Sequence, residues 1–363
     1  MRTRVISLAL TLSLALVSAG TAQNVELLGA GATFPAPLVT AMADDYRDLT
    51  DGRVTVNYQS IGSGGGIRQF TEQTVMFGMT EAFLSDEALA AIADAGGGVA
   101  FNMPITLGDV VVTYNLPGVA TGVVFDGDTI AEIFLGTITS WADPQIALLN
   151  PDVRFPPLPI TVVHRSDGSG TTNIFTNYLT KVSPSWADRV GFATSVNWPT
   201  GIGGNGNEGV AGVVQNTPGA IGYNSLVYAA LNDIAYGFVE NNSGNVIEPS
   251  LAATSLAADI TLPADTRVLV TDTDAQDGYP IAGFAWMLMY ENLDANNAIT
   301  SRAQAEELLK FVLWAITDGQ DLSEPLSFAR IPAAVLALNL DMIRAIKWQG
   351  EDLGAQVLAD AGY

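Results

Sequence analysis

The segment ITVVHRSDGSGTTNIFTNYL (160–179) carries the clearest structural signal in the chain. Its first residues, 160–163, are apolar or β-branched and predict a strand, whereas residues 174–179 continue a helix. The turn between them, HRSDGSGTT (164–172), is rich in glycine, serine and threonine. Because the first N–H groups of a helix are unpaired and carry about half a positive charge, this junction is suited to bind a small tetrahedral oxyanion.

Two charged side chains lie in this turn. Arg165 supplies a full positive charge in a planar fork that suits oxyanions, and Asp167 is placed to orient that fork. An isolated pair of this kind is more often a structural ion pair, but its position in a glycine-flanked helix start favours anion binding. Glycine lets the backbone approach a ligand closely and hydroxyl groups add donors. The remaining residues of the candidate site are Gly168, Ser169, Gly170 and Thr171.

The same order of strand, glycine-rich turn and helix occurs twice near the beginning of the chain. A strand at 25–28 precedes GAGATFPAP (29–37), after which a helix is predicted at 38–49. An alternating strand at 54–60 precedes IGSGGGIRQF (61–70). Alone, each glycine cluster indicates only a turn, but their recurrence predicts several strand-to-helix junctions that contribute to one site.

The rest of the chain continues to alternate strands with helices. A third strand is predicted at 75–79, and the helix after it begins near Ser85. Long apolar strands are predicted at 109–115 and 280–290, and apolar residues at helical spacing mark an amphipathic helix over 305–316. Alternation of this kind predicts an α/β fold with parallel sheets covered on both faces.

Residues 1–22 have the pattern of a secretory signal peptide. Arg2 and Arg4 precede an apolar stretch at 5–17, and small residues follow around position 20. The chain contains no cysteine, so it has neither disulfides nor a lipid-attachment site. We therefore expect an exported, periplasmic protein that is not a lipoprotein.

Charge excludes one class of partner. The chain has 38 acidic and 15 basic residues, and cleavage after position 22 leaves 13 basic residues and a net charge of −25. Nucleic acid is not expected as a partner of such an acidic protein. An anionic ligand must be held by local donors and one arginine, since the overall field repels it. About 340 mature residues suggest two domains.

Several motifs occur in the order and spacing of a known family. They are GAGATFPAP (29–37), YQSIGSGGG (58–66), FGMTEAFLSDE (77–87), HRSDGSGTT (164–172), GGNGNEGVAG (203–212) and PGAIGY (218–223). The chain resembles the PstS family, the phosphate-binding proteins of bacterial high-affinity phosphate ABC transporters, over essentially the whole mature sequence.

The resemblance implies a type II periplasmic-binding-protein fold, in which two α/β lobes with parallel-rich sheets are joined by two crossing strands. The first lobe would comprise 23–108 and 284–363, and the second 109–283. Phosphate would be held between the lobes by a monomer that delivers it to a membrane ABC permease and its ATPase. The implied phosphate ligands are Thr33, Phe34, Ser63, Glu81, Arg165, Ser169, Gly170 and Thr171, with Asp167 supporting Arg165.

One implied ligand departs from the family pattern. The family has aspartate in an Asp-Ala-Pro segment where this chain has Glu81, Ala82 and Phe83. The family's carboxylate accepts a hydrogen bond from a proton on phosphate, which disfavours sulfate, because an unprotonated oxygen facing a buried carboxylate is repelled. We expect Glu81 to keep this role although its side chain is one methylene longer. A receptor for arsenate or sulfate stays open as an alternative.

Other functional classes are less well supported. An exported phosphoesterase or serine hydrolase would use Ser63 or Ser169, but the only histidine, His164, has no evident triad or metal cluster beside it. GIGGNG (201–206) matches a dinucleotide pattern but follows no clear strand, so nucleotide binding is not predicted. A phosphate-binding surface protein with an adhesive or signalling role is a third alternative. We predict no cofactor, no metal and no catalytic residue.

Overall fold

The computed structural model describes residues 24–363, so the predicted signal peptide lies outside the described residues. The strands are β1 (Val25–Gly31), β2 (Val54–Ser60), β3 (Phe77–Thr80), β4 (Ala100–Tyr114), β5 (Val124–Phe125), β6 (Thr161–Arg165), β7 (Ile202–Gly204), β8 (Ala220–Ser225), β9 (Ala235–Tyr236), β10 (Phe238–Glu240), β11 (Val246–Ile247) and β12 (Ala282–Tyr290).

The α-helices are α1 (Ala36–Leu49), α2 (Ser63–Thr71), α3 (Asp86–Ile92), α4 (Gly127–Phe134), α5 (Pro144–Leu149), α6 (Gly170–Val182), α7 (Pro184–Arg189), α8 (Gly206–Asn216), α9 (Leu226–Leu231), α10 (Leu251–Ala257), α11 (Arg302–Ile316), α12 (Ala333–Ala345) and α13 (Leu353–Asp360). None of the helices in residues 24–363 has the length and the hydropathy that a membrane-spanning segment requires.

The main sheet has the strand order β2-β1-β3-β12-β4-β8-β6-β7, with β9 paired to β4. Strands β2, β1 and β3 run parallel to one another, and so do β8, β6 and β7. A smaller sheet has the order β11-β10-β5. The α/β prediction with parallel-rich sheets is therefore confirmed.

Strands β4 and β12 connect the two parallel groups, as predicted for the crossing strands. They pair antiparallel from Ala100 to Asp109 of β4, and the remainder of β4 pairs with β8. The prediction of a strand beginning at Asp109 was too short, because Pro104 and neighbouring polar residues interrupt the apolar pattern. Pro104 lies at a register shift opposite Trp286, a position at which a strand tolerates proline.

Strand β7 is another correction to the sequence interpretation. It lies inside the segment 201–206, for which no strand was predicted, and pairs with β6 from Val163 to Arg165. Glycine has low strand propensity, so only the neighbouring strand identifies this segment as part of the sheet.

Three of the predicted helices are present in the structure. The predicted apolar positions 305, 308, 309, 312, 313 and 316 are buried in α11, and Trp141 and Trp186 are fully buried in the core. The side chain of Ser85 caps α3 by accepting a hydrogen bond from the Ala88 N–H. Helix α1 begins at Ala36, two residues before the predicted start.

The sheet topology places two groups of loops close together. We call residues 25–81, which contain β1 to β3 and the turns after them, the first wall. Residues 161–231, which contain β6 to β8 and the turns and helices after them, are the second wall. Loops at the carboxyl ends of parallel strands commonly form ligand sites, and here the loops of both walls meet.

Candidate anion-binding site

Two glycine-rich turns from opposite walls are in direct contact. The N–H of Gly170, at the start of α6, donates to Oγ of Ser63 at 3.0 Å, although the residues are 107 positions apart. The N–H of Gly64 donates to the carbonyl of Gly168 at 2.9 Å. The junctions after β2 and β6, each identified in the sequence, therefore lie together in the structure.

Arg165 is the cation of this site. Only 3 % of its surface is exposed, and Nε donates to Oδ1 of Asp167 at 2.8 Å while a terminal nitrogen contacts Oδ2. The Gly206 N–H also donates to Oδ1 of Asp167, at 3.0 Å. Burial alone would raise the pKa of Asp167, but its hydrogen bonds with Arg165 and the guanidinium charge lower it overall. The bidentate pair fixes the plane of the guanidinium.

The first turn of α6 supplies the groups next to Arg165. Ser169 caps the helix, because its Oγ accepts from the Thr172 N–H at 3.0 Å. Oγ1 of Thr171 lies 3.4 Å from a terminal nitrogen of Arg165. Ser169, Gly170 and Thr171 are all buried. The positive end of this 13-residue helix is thereby directed into the contact between the walls.

Glu81 lies immediately after β3 and faces this helix start. It is 1 % exposed, and its Oε2 accepts a hydrogen bond from the Ser63 hydroxyl at 3.3 Å. Among residues 24–363, no group donates to its Oε1. Burial raises the pKa of Glu81 to about 8, against the opposing effects of Arg165 and Ser63. The site therefore contains a buried carboxyl group with free hydrogen-bonding capacity.

Gly170 is necessary for this approach. A Cβ at that position would lie 2.3 Å from Oε2 of Glu81 and 2.6 Å from Oγ of Ser63. Both distances are shorter than any van der Waals contact allows. A larger residue would separate the walls or displace Glu81.

Thr33 and Phe34 lie in the turn between β1 and α1, before the first helical residue. The Thr33 carbonyl accepts from the hydroxyl of Tyr228 at 2.6 Å. The Phe34 ring is buried edge-on against Phe328, with ring centroids 5.7 Å apart. Its side chain is therefore committed to packing, which leaves its backbone as the part available for binding.

Sequence reasoning missed several residues that hold this site together. Asn207, on α8, donates to Thr33 Oγ1 from its backbone nitrogen at 3.1 Å and from Nδ2 at 2.8 Å. The Tyr223 hydroxyl accepts from the Arg165 N–H at 3.1 Å. Asn207 and Tyr223 both lie in motifs quoted for the family resemblance, but nothing in the sequence shows which walls they connect.

The contacts of His164 lie away from the two serines of the candidate site. His164 stacks on Trp198 with ring centroids 4.9 Å apart, and its Nδ1 lies 3.0 Å from the Arg165 carbonyl oxygen. The hydrogen bonds that residues 24–363 make to the hydroxyls of Ser63 and Ser169 do not involve this ring. No group of three or more potential metal ligands occurs in the same range.

Comparison with known proteins identifies the family. The sequence model of one protein family, the PBP superfamily domain, matches residues 17–318 of this chain. The phosphate-binding protein PstS of Xylella fastidiosa strain 9a5c is 38 % identical over 319 residues, which cover 87 % of this chain and 84 % of that protein. PstS of Haemophilus influenzae is 38 % identical over 320 residues, 87 % of this chain and 92 % of the relative. The chain belongs to the PstS family.

Solved structures agree with this family at the level of the fold. A high-affinity periplasmic phosphate-binding protein bound with phosphate aligns with a TM-score of 0.69 and 22 % identity, covering 88 % of this chain and 98 % of the other. A phosphate-binding protein from Stenotrophomonas maltophilia aligns with a TM-score of 0.65 and 20 % identity, covering 86 % and 93 %. The two-lobed binding-protein fold expected of a PstS family member is thus confirmed.

Proposed function

We propose that this protein is an exported receptor that captures inorganic phosphate between its two lobes and delivers it to an ABC permease. The observation that carries the proposal is the convergence of Arg165, the start of α6, Ser63 and the buried Glu81 on one contact between the walls. Positive and neutral donors surround a single carboxyl group there. Such a set fits a tetrahedral anion that has one proton to share.

Each predicted ligand has a distinct role in this proposal. Arg165 supplies the full charge, Asp167 keeps its fork in place, and the N–H groups at the start of α6 donate to phosphate oxygens. Ser169 and Thr171 add hydroxyls from the second wall. The donors on the first wall are Thr33, Phe34 and Ser63.

Glu81 makes the site selective for a protonated anion. It accepts the phosphate proton when ionised, whereas sulfate brings no proton and would face the carboxylate unscreened. Because the pKa of Glu81 is about 8, the carboxyl itself carries a proton at lower pH and can then donate to sulfate. Discrimination against sulfate should therefore strengthen as pH rises.

The proposed lobes comprise 23–108 with 284–363, and 109–283. Strands β4 and β12 would act as the hinge, since β4 pairs with β12 up to Asp109 and with β8 from Val110. Ligand would favour the closed arrangement, because only there do both lobes contact the same anion.

We further propose that residues 1–22 are a signal peptide and that the mature monomer works in the periplasm with a separate permease and ATPase. The curated relatives in the comparison are named as binding proteins. We propose that this chain likewise has no enzymatic activity.

Calorimetric titration of the mature protein with phosphate, arsenate and sulfate tests the proposal. We expect saturable phosphate binding and much weaker sulfate binding at pH 8.5. Sulfate binding as tight as phosphate binding would overturn the role assigned to Glu81. Tighter binding of arsenate than of phosphate would make arsenate the ligand instead. Turnover of a chromogenic phosphate ester would contradict the non-enzymatic role.

A further inference from the structure

Asn207 connects the two walls through the hydroxyls of two predicted ligands. Its Nδ2 donates to Oγ1 of Thr33 on the first wall at 2.8 Å and to Oγ1 of Thr171 on the second wall at 3.0 Å. The Asn207 side chain is fully buried. The Asn207 amide therefore restricts which further hydrogen bonds each of the two threonine hydroxyls can make.

The orientation of the Asn207 amide is fixed by its other contacts. Its Oδ1 accepts from the N–H of Ser225 at 2.9 Å, and a backbone N–H can only donate, so Nδ2 must face the threonines. The Asn207 carbonyl accepts from Nδ2 of Asn224 at 2.7 Å, and Asn224 Oδ1 accepts from Thr113 on β4 at 3.0 Å. A buried network thus extends from the crossing strand β4 to Asn207.

This network occupies the lone pairs of both threonine hydroxyl oxygens. A threonine oxygen has two lone pairs and one proton. Thr33 Oγ1 accepts from both the backbone nitrogen and Nδ2 of Asn207, and Thr171 Oγ1 accepts from Asn207 and from Arg165. With its lone pairs in use, each hydroxyl can contribute only its proton to a further partner.

We propose that Asn207 is a positioning residue that makes Thr33 and Thr171 obligatory donors to the bound anion and fastens the two walls in the closed state. This inference rests on the proposed phosphate receptor and extends it. Donors on both walls would then point at unprotonated phosphate oxygens, while the single protonated oxygen is left for Glu81. Ser63 differs, because its hydroxyl donates to Glu81 in this structure and must turn away from that carboxyl group to donate to the anion.

The test compares Asn207→Ala with Asn207→Asp by phosphate calorimetry at pH 8.5. Aspartate has nearly the same shape, but its carboxylate accepts the threonine protons instead of donating to the hydroxyl oxygens. We expect phosphate affinity to fall about tenfold in Asn207→Ala and about 100-fold or more in Asn207→Asp. If Asn207 only fills space, the isosteric aspartate variant retains more affinity than the alanine variant, and the proposal is wrong.

Two control variants measure the effects of losing a buried asparagine and of adding a negative charge elsewhere in the protein. Asn296 is also fully buried, donates to the carbonyls of Val75 and Met76 and accepts from the Ala298 N–H, but it lies at the amino end of β3. Asn296→Ala should lower thermal stability without changing phosphate affinity. Asn205→Asp adds the same charge at an exposed position at the start of α8 and should weaken binding less than threefold.

A double-mutant cycle supplies the decisive measurement. In a Thr33→Val background, Asn207→Ala should cost only about half of the binding free energy that it costs in the wild type, because one of the two hydroxyls through which it acts has gone. An undiminished effect overturns the proposal. Failure of the wild-type protein to bind phosphate would instead remove the proposed function, so the two failures are distinguishable.

Discussion

The two walls of the site differ in how their polar groups are held. On the second wall, Arg165 is fixed by Asp167, and Asn207 is fixed by Ser225, by contacts that lie entirely within that wall. On the first wall, Ser63 accepts from Gly170 of the opposite wall. The second wall therefore orients its guanidinium and its Asn207 amide by itself, whereas Ser63 and Thr33 of the first wall accept hydrogen bonds from Gly170 and Asn207 of the second.

The two walls also differ in the charge that they present to the site. The second wall presents a guanidinium and the start of a 13-residue helix, and the first wall presents the carboxyl of Glu81. An anion in a strongly acidic protein should consequently bind first to the second wall. The first wall then completes the coordination, and its Glu81 favours a ligand that carries a proton.

The largest expected effect follows from removing the cation of the second wall. Arg165→Ala should weaken phosphate binding about 100-fold or more, since it removes charge-assisted hydrogen bonds and leaves Asp167 facing the anion. Calorimetry measures this loss. Arg302→Ala removes an exposed ion pair with Glu351 and should leave the affinity unchanged. Near-normal affinity in Arg165→Ala would mean that the second wall is not the primary anion site.

The contact between the walls is tested by Gly170→Ala. The added Cβ collides with Glu81 and Ser63 only in the closed arrangement, so phosphate affinity should fall by about tenfold to 100-fold. Gly212 is the matched control, because a Cβ there meets no atom within 4 Å. Gly212→Ala should bind normally and be slightly more stable. Equal binding by both variants would show that closure does not bring these groups together.

Selectivity of the first wall should depend on pH through Glu81. Between pH 7.5 and 9 the ratio of sulfate to phosphate dissociation constants should increase by about tenfold, as the carboxyl loses its proton. Competition titrations at several pH values measure this ratio. In Glu81→Gln the side chain cannot ionise, so the ratio should become independent of pH. A pH-independent ratio in the wild type would exclude Glu81 as the selective group.

The smallest effect concerns the hinge rather than either wall. Asp109 is buried on β4, and burial raises its pKa to about 8 although Thr254 donates to Oδ2 at 2.8 Å. Because the folded pKa exceeds the unfolded value near 4, this group's stabilising contribution is complete below about pH 4 and is lost as pH rises to about 8.

Asp109→Asn should therefore reduce the loss of stability across this pH interval. At pH 8 the variant should be more stable than the wild type by about 1–2 kcal/mol, measured by denaturant unfolding. An identical pH dependence in both proteins would indicate that Asp109 is not protonated in the folded state.

Much of the fold follows from local sequence pattern. Apolar periodicity is a short-range property, so it identified the helix over 305–316, the strand that leads into the turn at 164–172 and the apolar strand over 280–290. Apolar periodicity failed where a segment has residues of low strand propensity but is held in the sheet by a neighbouring strand. Pro104 masked the first part of β4, and the glycines of β7 concealed a strand that only its partner β6 stabilises.

The sequence by itself determined which residue types are available at each strand-to-helix junction: glycine, hydroxyl, guanidinium and carboxyl groups. Only the tertiary structure decided which junctions meet, that Ser63 contacts Gly170 across 107 residues, and that Asn207 lies between Thr33 and Thr171. The physical reason is that propensity and turn chemistry act over a few residues. Burial, hydrogen-bond direction and the raised pKa of Glu81 depend on groups that the folded chain brings from distant positions.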